Sequence, residues 1–379
     1  MNIQILKKFL FTNVFSINNK SRINLYLNIF SFIITSLSII FIVLILSVNE
    51  GFKNTVNNVI VDLNGKYKII NKFSEDLTDD DERIILSLLP ENNILSKVST
   101  KDLIAKNKSF SEPIHMIAFD NSNDFIHNLH DILFEGSISD SNIIIGKILS
   151  DKLDVSIGST LNLINIKSNN IESIESLKVG GIFKSNITAY DTYRVYGNRK
   201  LFKNFINENY DYFLTNEDFK SSLFNNKYLI KNIFQINDDL FKWLNAYDYP
   251  IKILIFFIML ICIFNILQNN LMYISYYKND FFILKTLGLN NIYIYFLILL
   301  RSFLVLFLSS IVGFTVAYIL LNIEQKINLI NLPEYVYFTD SMPIHIDYML
   351  PVYIFPLLLI IMSVISLYFY NFFIKKYEF

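Results

Sequence analysis

Four uncharged, apolar stretches divide the chain. A membrane-spanning helix needs about 20 apolar residues. Each of the four stretches is longer than that and lies between charged residues. They are residues 23–49, 253–277, 302–323 and 348–374. The pattern therefore predicts four membrane-spanning helices.

Charged residues are concentrated between the first and the second stretch. Residues 49–250 contain 22 of the 33 Lys and Arg residues and 28 of the 34 Asp and Glu residues of the chain. About one residue in four is charged there, which is typical of a soluble domain. This split excludes a wholly soluble enzyme, a disordered chain and a fibrous repeat. The net charge of -1 gives no field that would attract nucleic acid.

The charged region has the mixed pattern of an α+β domain. Thr78 and Asp81 resemble a capping box that opens a helix, which Pro90 would end. Further helices are predicted to begin at 215–218 and to cover 238–247. Short β-rich runs near polar turns predict strands at 66–70, 142–146, 160–164 and 178–183.

Basic residues near the apolar stretches set the orientation, because Lys and Arg favour the cytoplasmic side of a membrane. The tail before the first stretch has four basic residues and no acidic one, and two lysines follow the last stretch. The segment after the second stretch is also basic. Both termini and this segment are therefore predicted to be cytoplasmic.

The predicted fold is an α-helical membrane protein with four transmembrane helices and a large α+β extracytoplasmic (periplasmic) domain between helices 1 and 2. In chain order, the predicted parts are a cytoplasmic interfacial helix (1–22), the first span (23–48), the periplasmic domain (49–250), the second span (251–277), a short cytoplasmic helix (278–290), the third span (291–323), a short periplasmic loop (324–347), the fourth span (348–374) and a cytoplasmic tail (375–379).

The sequence contains no motif for catalysis or nucleotide binding. The phosphate-binding pattern G-x-x-x-x-G-K-[ST] is absent, and its nearest fragment, Gly146-Lys147-Ile148, lacks the final hydroxyl residue. His127 and His130 could share a helix face, but no further ligand completes a metal site. We therefore predict no catalytic residue, no metal and no cofactor in this chain.

Residues 276–290, between the second and third spans, form the candidate functional segment. Phe281, Phe282, Leu284 and Leu287 include pairs three residues apart, while charged neighbours keep the segment compatible with water. Gly288 can end a helix in the left-handed conformation. The segment is either an amphipathic helix presented to a cytoplasmic partner or a plain interfacial turn, and the periodicity leaves both open.

A resemblance to a known family favours the first interpretation. Residues 280–288, DFFILKTLG, resemble the E-x-x-x-L-[RK]-x-[LM]-G coupling segment of the FtsX/MacB-like ABC transporter permeases, which share the layout of one span, a large outer domain and three spans. Within that group the chain is most similar to the lipoprotein-releasing LolC/LolE-type permeases. Other motifs of these permeases resemble residues 45–53 (L-S-V-x-x-G-F), 143–158 (I-I-G-x-x-L-A…L…x-G-D), 179–191 (V-x-G-I-F…E-Y-D) and 336–343 (V-Y-F…L-P).

The resemblance implies a permease subunit without an enzymatic site, in a homo- or heterodimer with a second permease subunit in the bacterial inner membrane. A separate cytoplasmic ABC ATPase dimer would bind ATP and Mg. ATP hydrolysis would extract lipoproteins from the outer leaflet by mechanotransmission and pass them on, with a periplasmic carrier as a further partner. The residues implied to contact the ATPase are Asp280, Phe281, Ile283, Leu284, Lys285, Leu287 and Gly288. The motif at the outer end of the first span comprises Leu46, Ser47, Val48, Gly51 and Phe52.

Three features depart from the family pattern. The third span has one glycine, Gly313, where the family is usually rich in glycine, which puts close helix packing in question. Arg301 is expected to extend its side chain to the cytoplasmic surface, with a dimer or ATPase contact as the alternative. Residues 165–177, which correspond to the carrier-binding loop, are short, polar and without proline. This composition counts against docking of a carrier.

Two other functions stay open at this point. An FtsX-like transmembrane regulator would move the outer domain to activate a periplasmic cell-wall hydrolase, and a MacB-like efflux permease would need a periplasmic adaptor. The size of the outer domain and the match at 336–343 favour lipoprotein release.

Overall fold

The structure is a computed structural model. It describes residues 19–73, 75–89, 95–120, 129–130, 132–167, 170–185, 187–216, 227–286, 288, 290–332 and 341–377. These residues form two compact units. The helical unit contains the described residues up to Phe52, Asn245–Ile330 and those from Met342 onwards, and the α+β unit contains Lys53–Leu244 with Asn331–Ser341.

The helices and strands follow in chain order as α1 (Asn19–Asn64), β1 (Tyr67–Asn71), α2 (Asp79–Leu88), β2 (Ser96–Asn107), β3 (Phe110–Phe119), β4 (Leu133–Gly136), β5 (Ile143–Gly146), α3 (Lys147–Leu153), β6 (Thr160–Lys167), β7 (Asn170–Phe183), α4 (Thr188–Tyr193), β8 (Arg194–Asn198), a 3-10 helix (Arg199–Phe202), β9 (Tyr212–Thr215), β10 (Tyr228–Asn232), α5 (Ile233–Ile236), α6 (Asp238–Ala246), α7 (Asp248–Tyr276), α8 (Lys278–Thr286), α9 (Asn291–Ile327) and α10 (Leu350–Tyr377).

In the part of the chain that the structure describes, four helices, α1, α7, α9 and α10, are long and apolar enough to cross a membrane. Each predicted span overlaps one of them. The first helix continues to Asn64, well past the predicted end of the span at residue 48, because no proline interrupts 49–64. Val56, Ile60 and Leu63 repeat at helical spacing in this extension and are buried. The predicted interfacial helix 1–22 lies, up to residue 18, outside the described residues.

A single glycine is enough for close packing between α9 and α1. A Cβ atom on Gly313 would lie 3.0 Å from the Cβ of Ile39 and 3.0 Å from the carbonyl oxygen of Ser36. Small residues let two helix backbones approach each other closely, and this close packing stabilises helix pairs in membranes, where burial of apolar surface contributes little. The scarcity of glycine in the third span therefore does not prevent a tight helix contact.

The second unit contains one sheet of ten strands in the described part of the chain. The strands are ordered β10-β1-β9-β2-β3-β8-β5-β7-β4, and β6 pairs with both β2 and β7. The pairs β3–β8 and β5–β7 are parallel, and the others are antiparallel. The four predicted strands and the α+β class are confirmed. The helix predicted to begin at 215–218 falls partly outside the described residues.

The described residues of 165–177 lie in strands and not in a loop, so that prediction is wrong. They belong to β6 and β7, which pair in antiparallel register, with Asn165 opposite Ser173 and Leu163 opposite Glu175. Residues 168 and 169 lie outside the described residues. The segment is rich in Asn, Ser and Glu, which favour strands only weakly, so its sequence does not predict a strand. The pairing of β6 with β7 depends on contacts with the partner strand and not on local preference.

Asp81 fixes the N-terminus of α2 to the edge of the sheet. Its backbone N–H donates to the Thr78 hydroxyl at 3.4 Å, and its carboxylate accepts from the Thr78 N–H at 3.0 Å, which confirms the predicted capping box. The buried carboxylate also accepts from Lys227 Nζ and from the Tyr228 hydroxyl, each at 2.6 Å. Since Tyr228 begins β10, one side chain joins this helix to the edge strand.

Candidate functional site

The candidate segment forms a helix, α8, that follows α7 almost without a break. The N–H of Tyr277 donates to the Tyr273 carbonyl at 3.0 Å, and the N–H of Phe281 donates to the Tyr277 carbonyl at 2.9 Å. Gly288 has a φ of 89° and donates to the Lys285 carbonyl at 2.9 Å. This is the left-handed ending that the glycine predicted. Asn290 then caps the start of α9.

The two sides of α8 differ in burial. Phe281 is 5% exposed, whereas Phe282 and Ile283 are each 54% exposed. Lys278, Asn279 and Thr286 are exposed as well. Residues four apart lie on the same side of a helix, so Phe282 stands between Lys278 and Thr286. The helix therefore presents an apolar pair, which we call the Phe282–Ile283 surface, framed by polar side chains.

The opposite side of α8 packs into the helical unit. Phe281 lies in a cluster of buried residues with Tyr273, Tyr277 and Ile298, and Leu284 packs against this cluster. The rings of Phe281 and Tyr273 meet edge to face, with centroids 6.0 Å apart. Phe281 is thus directed inwards. Asp280, Leu284 and Lys285 are half-buried, and Leu287 lies outside the described residues.

The motif at the end of the first predicted span contacts a segment almost 300 residues later in the chain. The N–H of His345 donates to the Ser47 carbonyl at 3.0 Å. A Cβ atom on Gly51 would lie 2.4 Å from the Pro343 carbonyl oxygen, closer than atoms can approach. Two segments quoted for the family resemblance, 45–53 and 336–343, therefore meet at this point. Residues 336–340 lie outside the described part of the chain.

Replacing Gly51 with alanine is expected to destabilise the helical unit by about 1–2 kcal/mol. In a helix this change normally stabilises by about 1 kcal/mol, but here the methyl group meets the backbone of Pro343 and Ile344. The measurement is thermal unfolding in detergent. Asn58→Ala, at an exposed position of α1, is the control and should be neutral or slightly stabilising. A Gly51→Ala protein that melts at or above the wild-type temperature would contradict the close approach.

Arg301 does not reach a surface, so its predicted extension to the cytoplasmic side is wrong. Its side chain is buried, with 1% exposed. The guanidinium donates to the side-chain oxygens of Asn28 in α1 and of Asn269 in α7, the latter at 2.7 Å. The guanidinium carbon stacks on the Tyr273 ring, 3.9 Å from its centroid.

These contacts offset the cost of a charge among apolar helices. Placing an arginine centrally in a membrane helix costs about 2.5–3.5 kcal/mol on insertion scales. A hydrogen bond to a charged group returns about 1.5–3 kcal/mol, and a desolvated cation–aromatic contact about 2 kcal/mol. Two hydrogen bonds and one ring contact are therefore enough to hold Arg301 inside the helical unit.

Other asparagines of α7 also join neighbouring helices through polar contacts. Asn265 donates to the Ser31 carbonyl at 3.0 Å and to the Thr35 hydroxyl at 3.1 Å, both in α1. Asn270 accepts from the Ser302 hydroxyl in α9 at 2.5 Å and donates to Ser366 in α10 at 3.3 Å. Polar residues inside an apolar bundle fix which helix faces meet.

Sequence reasoning missed two parts of this site. Phe282 belongs to the predicted apolar periodicity but is not among the residues implied to contact the ATPase. The partners of Arg301 come from two other helices, and asparagines within an apolar run gave no sign of which way they face. Among the described residues, no group of three or more His, Cys, Asp or Glu side chains is placed to hold a metal ion.

Four long apolar helices, with an α+β unit between the first and the second in the described chain, fit a membrane permease. The family comparison specifies it further. Residues 252–377, which contain α8 and α9, match the family model described as FtsX-like permease C-terminal. This part of the chain is an FtsX-like permease C-terminal domain, as the resemblance predicted. The LolC/LolE subtype is not distinguished by this match.

Two solved structures are similar to part of the chain. The extracellular domain of the noncanonic ABC-type transporter YknZ from Gram-positive bacteria is 12% identical, with 44% of this chain and 98% of that chain covered and a TM-score of 0.31. The periplasmic region of MacB from Actinobacillus actinomycetemcomitans is 11% identical, with 48% and 95% covered and a TM-score of 0.34. A search of curated proteins found no match. Because both TM-scores are low, the assignment rests on the family match.

Proposed function

We propose that this chain is the permease subunit of an ABC transporter that extracts lipoproteins from the outer leaflet of the inner membrane with ATP hydrolysed by a separate ATPase subunit. The observation that carries the proposal is α8, a short helix within the FtsX-like match that exposes two large apolar side chains. Exposed apolar side chains framed by polar ones are typical of a contact for another protein.

The ATPase subunit contacts the outward side of α8. Phe282 and Ile283 supply the apolar anchors, and Lys278 and Thr286 lie at the rim of the contact. Of the residues implied by the resemblance, Ile283 and Gly288 are exposed, Asp280, Leu284 and Lys285 are half-buried and Phe281 points inwards. We therefore assign Phe281 to the transfer of movement into the helical unit. ATP and Mg are bound by the partner.

The four long helices lie in the bacterial inner membrane with both termini in the cytoplasm. The basic tails support this orientation. A second permease subunit, identical or related, completes the membrane part. One face of α7 is suited to lipid or to that subunit, because it exposes a row of large apolar side chains, namely Ile253, Phe256, Phe257, Ile261 and Phe264.

The cargo is a lipoprotein. Support comes from the two lipoprotein-permease motifs at 45–53 and 336–343, because their described residues are in contact at Gly51 and Pro343. A resemblance in two distant segments carries more weight when the segments meet in space than when they lie apart.

The test is to co-express the chain with a candidate ABC ATPase and to purify it in detergent. Bound lipoproteins are identified by mass spectrometry, before and after addition of ATP with vanadate. We expect triacylated lipoprotein in the nucleotide-free complex and its loss after ATP binding. An ATPase complex that never holds lipoprotein would refute the cargo and favour an FtsX-like regulator or a MacB-like efflux permease. Absence of the ATPase would refute the permease assignment itself.

A further inference from the structure

We propose that Arg301 is a positioning residue that links α8 to α1, so that movement of α8 reaches the first helix through Tyr273 and Arg301. The inference rests on the proposed function of α8 as the ATPase contact. It goes beyond that function, because it assigns a role to a buried arginine and to the residues around it.

The first step of the link joins α8 to α7. Phe281 is buried against Tyr273, with an edge-to-face ring contact of 6.0 Å between centroids. Tyr277 packs on the same ring, with centroids 4.8 Å apart. A displacement of α8 that moves Phe281 must therefore also move Tyr273 or open a gap beside it. Closely packed side chains transmit such shifts because they leave little free volume.

The second step joins Tyr273 to the first helix. The Tyr273 ring also contacts the Arg301 guanidinium, whose central carbon lies 3.9 Å from the ring centroid. That guanidinium donates to the side-chain oxygen of Asn28 in α1. Three successive contacts thus connect Phe281 in α8 with Asn28, and they pass through side chains that are almost fully buried.

Arginine is suited to this position by its shape. The guanidinium group is planar, stacks on a ring and keeps several donors at its edge. Here it stacks on Tyr273 and also bonds to Asn269 at 2.7 Å. A lysine has a compact ammonium group and cannot do both in the same geometry. The adjacent residue Ser302 offers a contrast, because its hydroxyl bonds to Asn270 on α7 and to the Ile298 carbonyl one turn earlier in α9.

Contact alone does not establish coupling, so the test separates transfer of movement from simple stability. The full chain is reconstituted in nanodiscs with its ABC ATPase, and the permease-dependent ATPase rate is measured for R301M, R301K, Y273L and S302A. We expect R301M and Y273L to lose at least fivefold in kcat, with an unchanged KM for ATP and an undiminished amount of co-purified ATPase. R301K should recover part of the loss, because it restores the charge.

S302A is the matched control, since it removes a buried hydrogen bond one residue away. Its kcat should stay within twofold of wild type. The proposal is overturned if R301M turns over ATP at the wild-type rate, or if its loss of kcat is fully explained by a loss of folded protein. A complex that fails to form even with the wild-type chain would overturn the proposed function instead.

A second measurement needs no ATPase. Cys262 is the single cysteine of the chain, so C262S with Y26C and N279C gives one spin-label pair at two exposed positions in α1 and α8. Pulsed electron resonance should give a narrow distance distribution. R301M should at least double its width, and S302A should leave it unchanged. An unchanged width in R301M would refute the link, whatever the partner of α8 proves to be.

Discussion

Replacing both Phe282 and Ile283 with aspartate is expected to release the ATPase subunit from the chain. Each side chain is 54% exposed in this chain, and burying such a side chain in an interface contributes about 1.5–3 kcal/mol. Losing both, and placing two charges at the contact, should weaken binding by about 100-fold or more. The measurement is the amount of ATPase that co-purifies with the chain, followed by a titration in nanodiscs.

The control for this variant changes an exposed phenylalanine elsewhere. Phe73 lies in the α+β unit and is 67% exposed, so F73D makes a similar chemical change away from α8 and should leave ATPase binding intact. F281A should behave differently again. It removes packing inside the helical unit, and we expect it to lower the melting temperature. Wild-type recovery of the ATPase by the double aspartate variant would refute the Phe282–Ile283 surface.

Asp81→Asn is expected to destabilise the edge of the sheet by about 3 kcal/mol, since hydrogen bonds to a charged group contribute about 1.5–3 kcal/mol each. The Asp81 carboxylate accepts hydrogen bonds from Lys227 and Tyr228 at 2.6 Å each. An amide can replace only part of this pattern, because its nitrogen is a donor. Hydrogen exchange of β1 and β10 in increasing urea measures the effect. Asp80→Asn is the matched control, and it should cost at most about 0.5 kcal/mol because Asp80 and its partner Arg83 are exposed.

The same carboxylate predicts a dependence on pH. Burial by itself would raise the pKa of Asp81, but the hydrogen bonds from Lys227, Tyr228 and Thr78 outweigh burial and lower the pKa well below its usual range. The folded protein therefore binds this proton less readily than the unfolded chain, in which the pKa is about 3.9. Stability from Asp81 is complete above that pH and falls as the pH drops below it. The measurement is the stability of β10 at pH 6 and at pH 3, in wild type and in Asp81→Asn. If both proteins lose the same amount of stability between these two pH values, this assignment is wrong.

Much of the fold could be predicted from the sequence, because its signals are local. The four apolar runs, the capping box at Thr78 and the four β-rich runs each depend on neighbouring residues, and all of them correspond to elements of the structure. The length of α1 could not be predicted from hydropathy. The residues after 48 are polar, and a polar segment after an apolar run predicts the start of a soluble domain and not the continuation of the same helix. The β6–β7 hairpin was missed because its pairing is set by the partner strand.

The site was predictable only in part, for a similar reason. The pattern around Lys285 and Gly288 located α8, but a sequence match cannot show which side of a helix faces inwards. Phe281 and Phe282 are adjacent and chemically identical, and tertiary packing alone makes one buried and the other exposed. The surroundings of Arg301 were equally hard to predict, since Asn28, Asn269 and Tyr273 lie on two helices that are distant in sequence.

The position of Arg301 in the chain bears on biogenesis. Asn28, Asn269 and Tyr273 all precede it, so the ribosome completes the first and second long helices before the arginine emerges. Chains of this kind are synthesised and inserted from the N-terminus. When α9 leaves the translocon, the side chains of Asn28, Asn269 and Tyr273 are already in the bilayer. The Arg301 guanidinium can therefore enter the bilayer together with its partners. A circularly permuted chain that began at α9 would present the same arginine to lipid with no partner yet made.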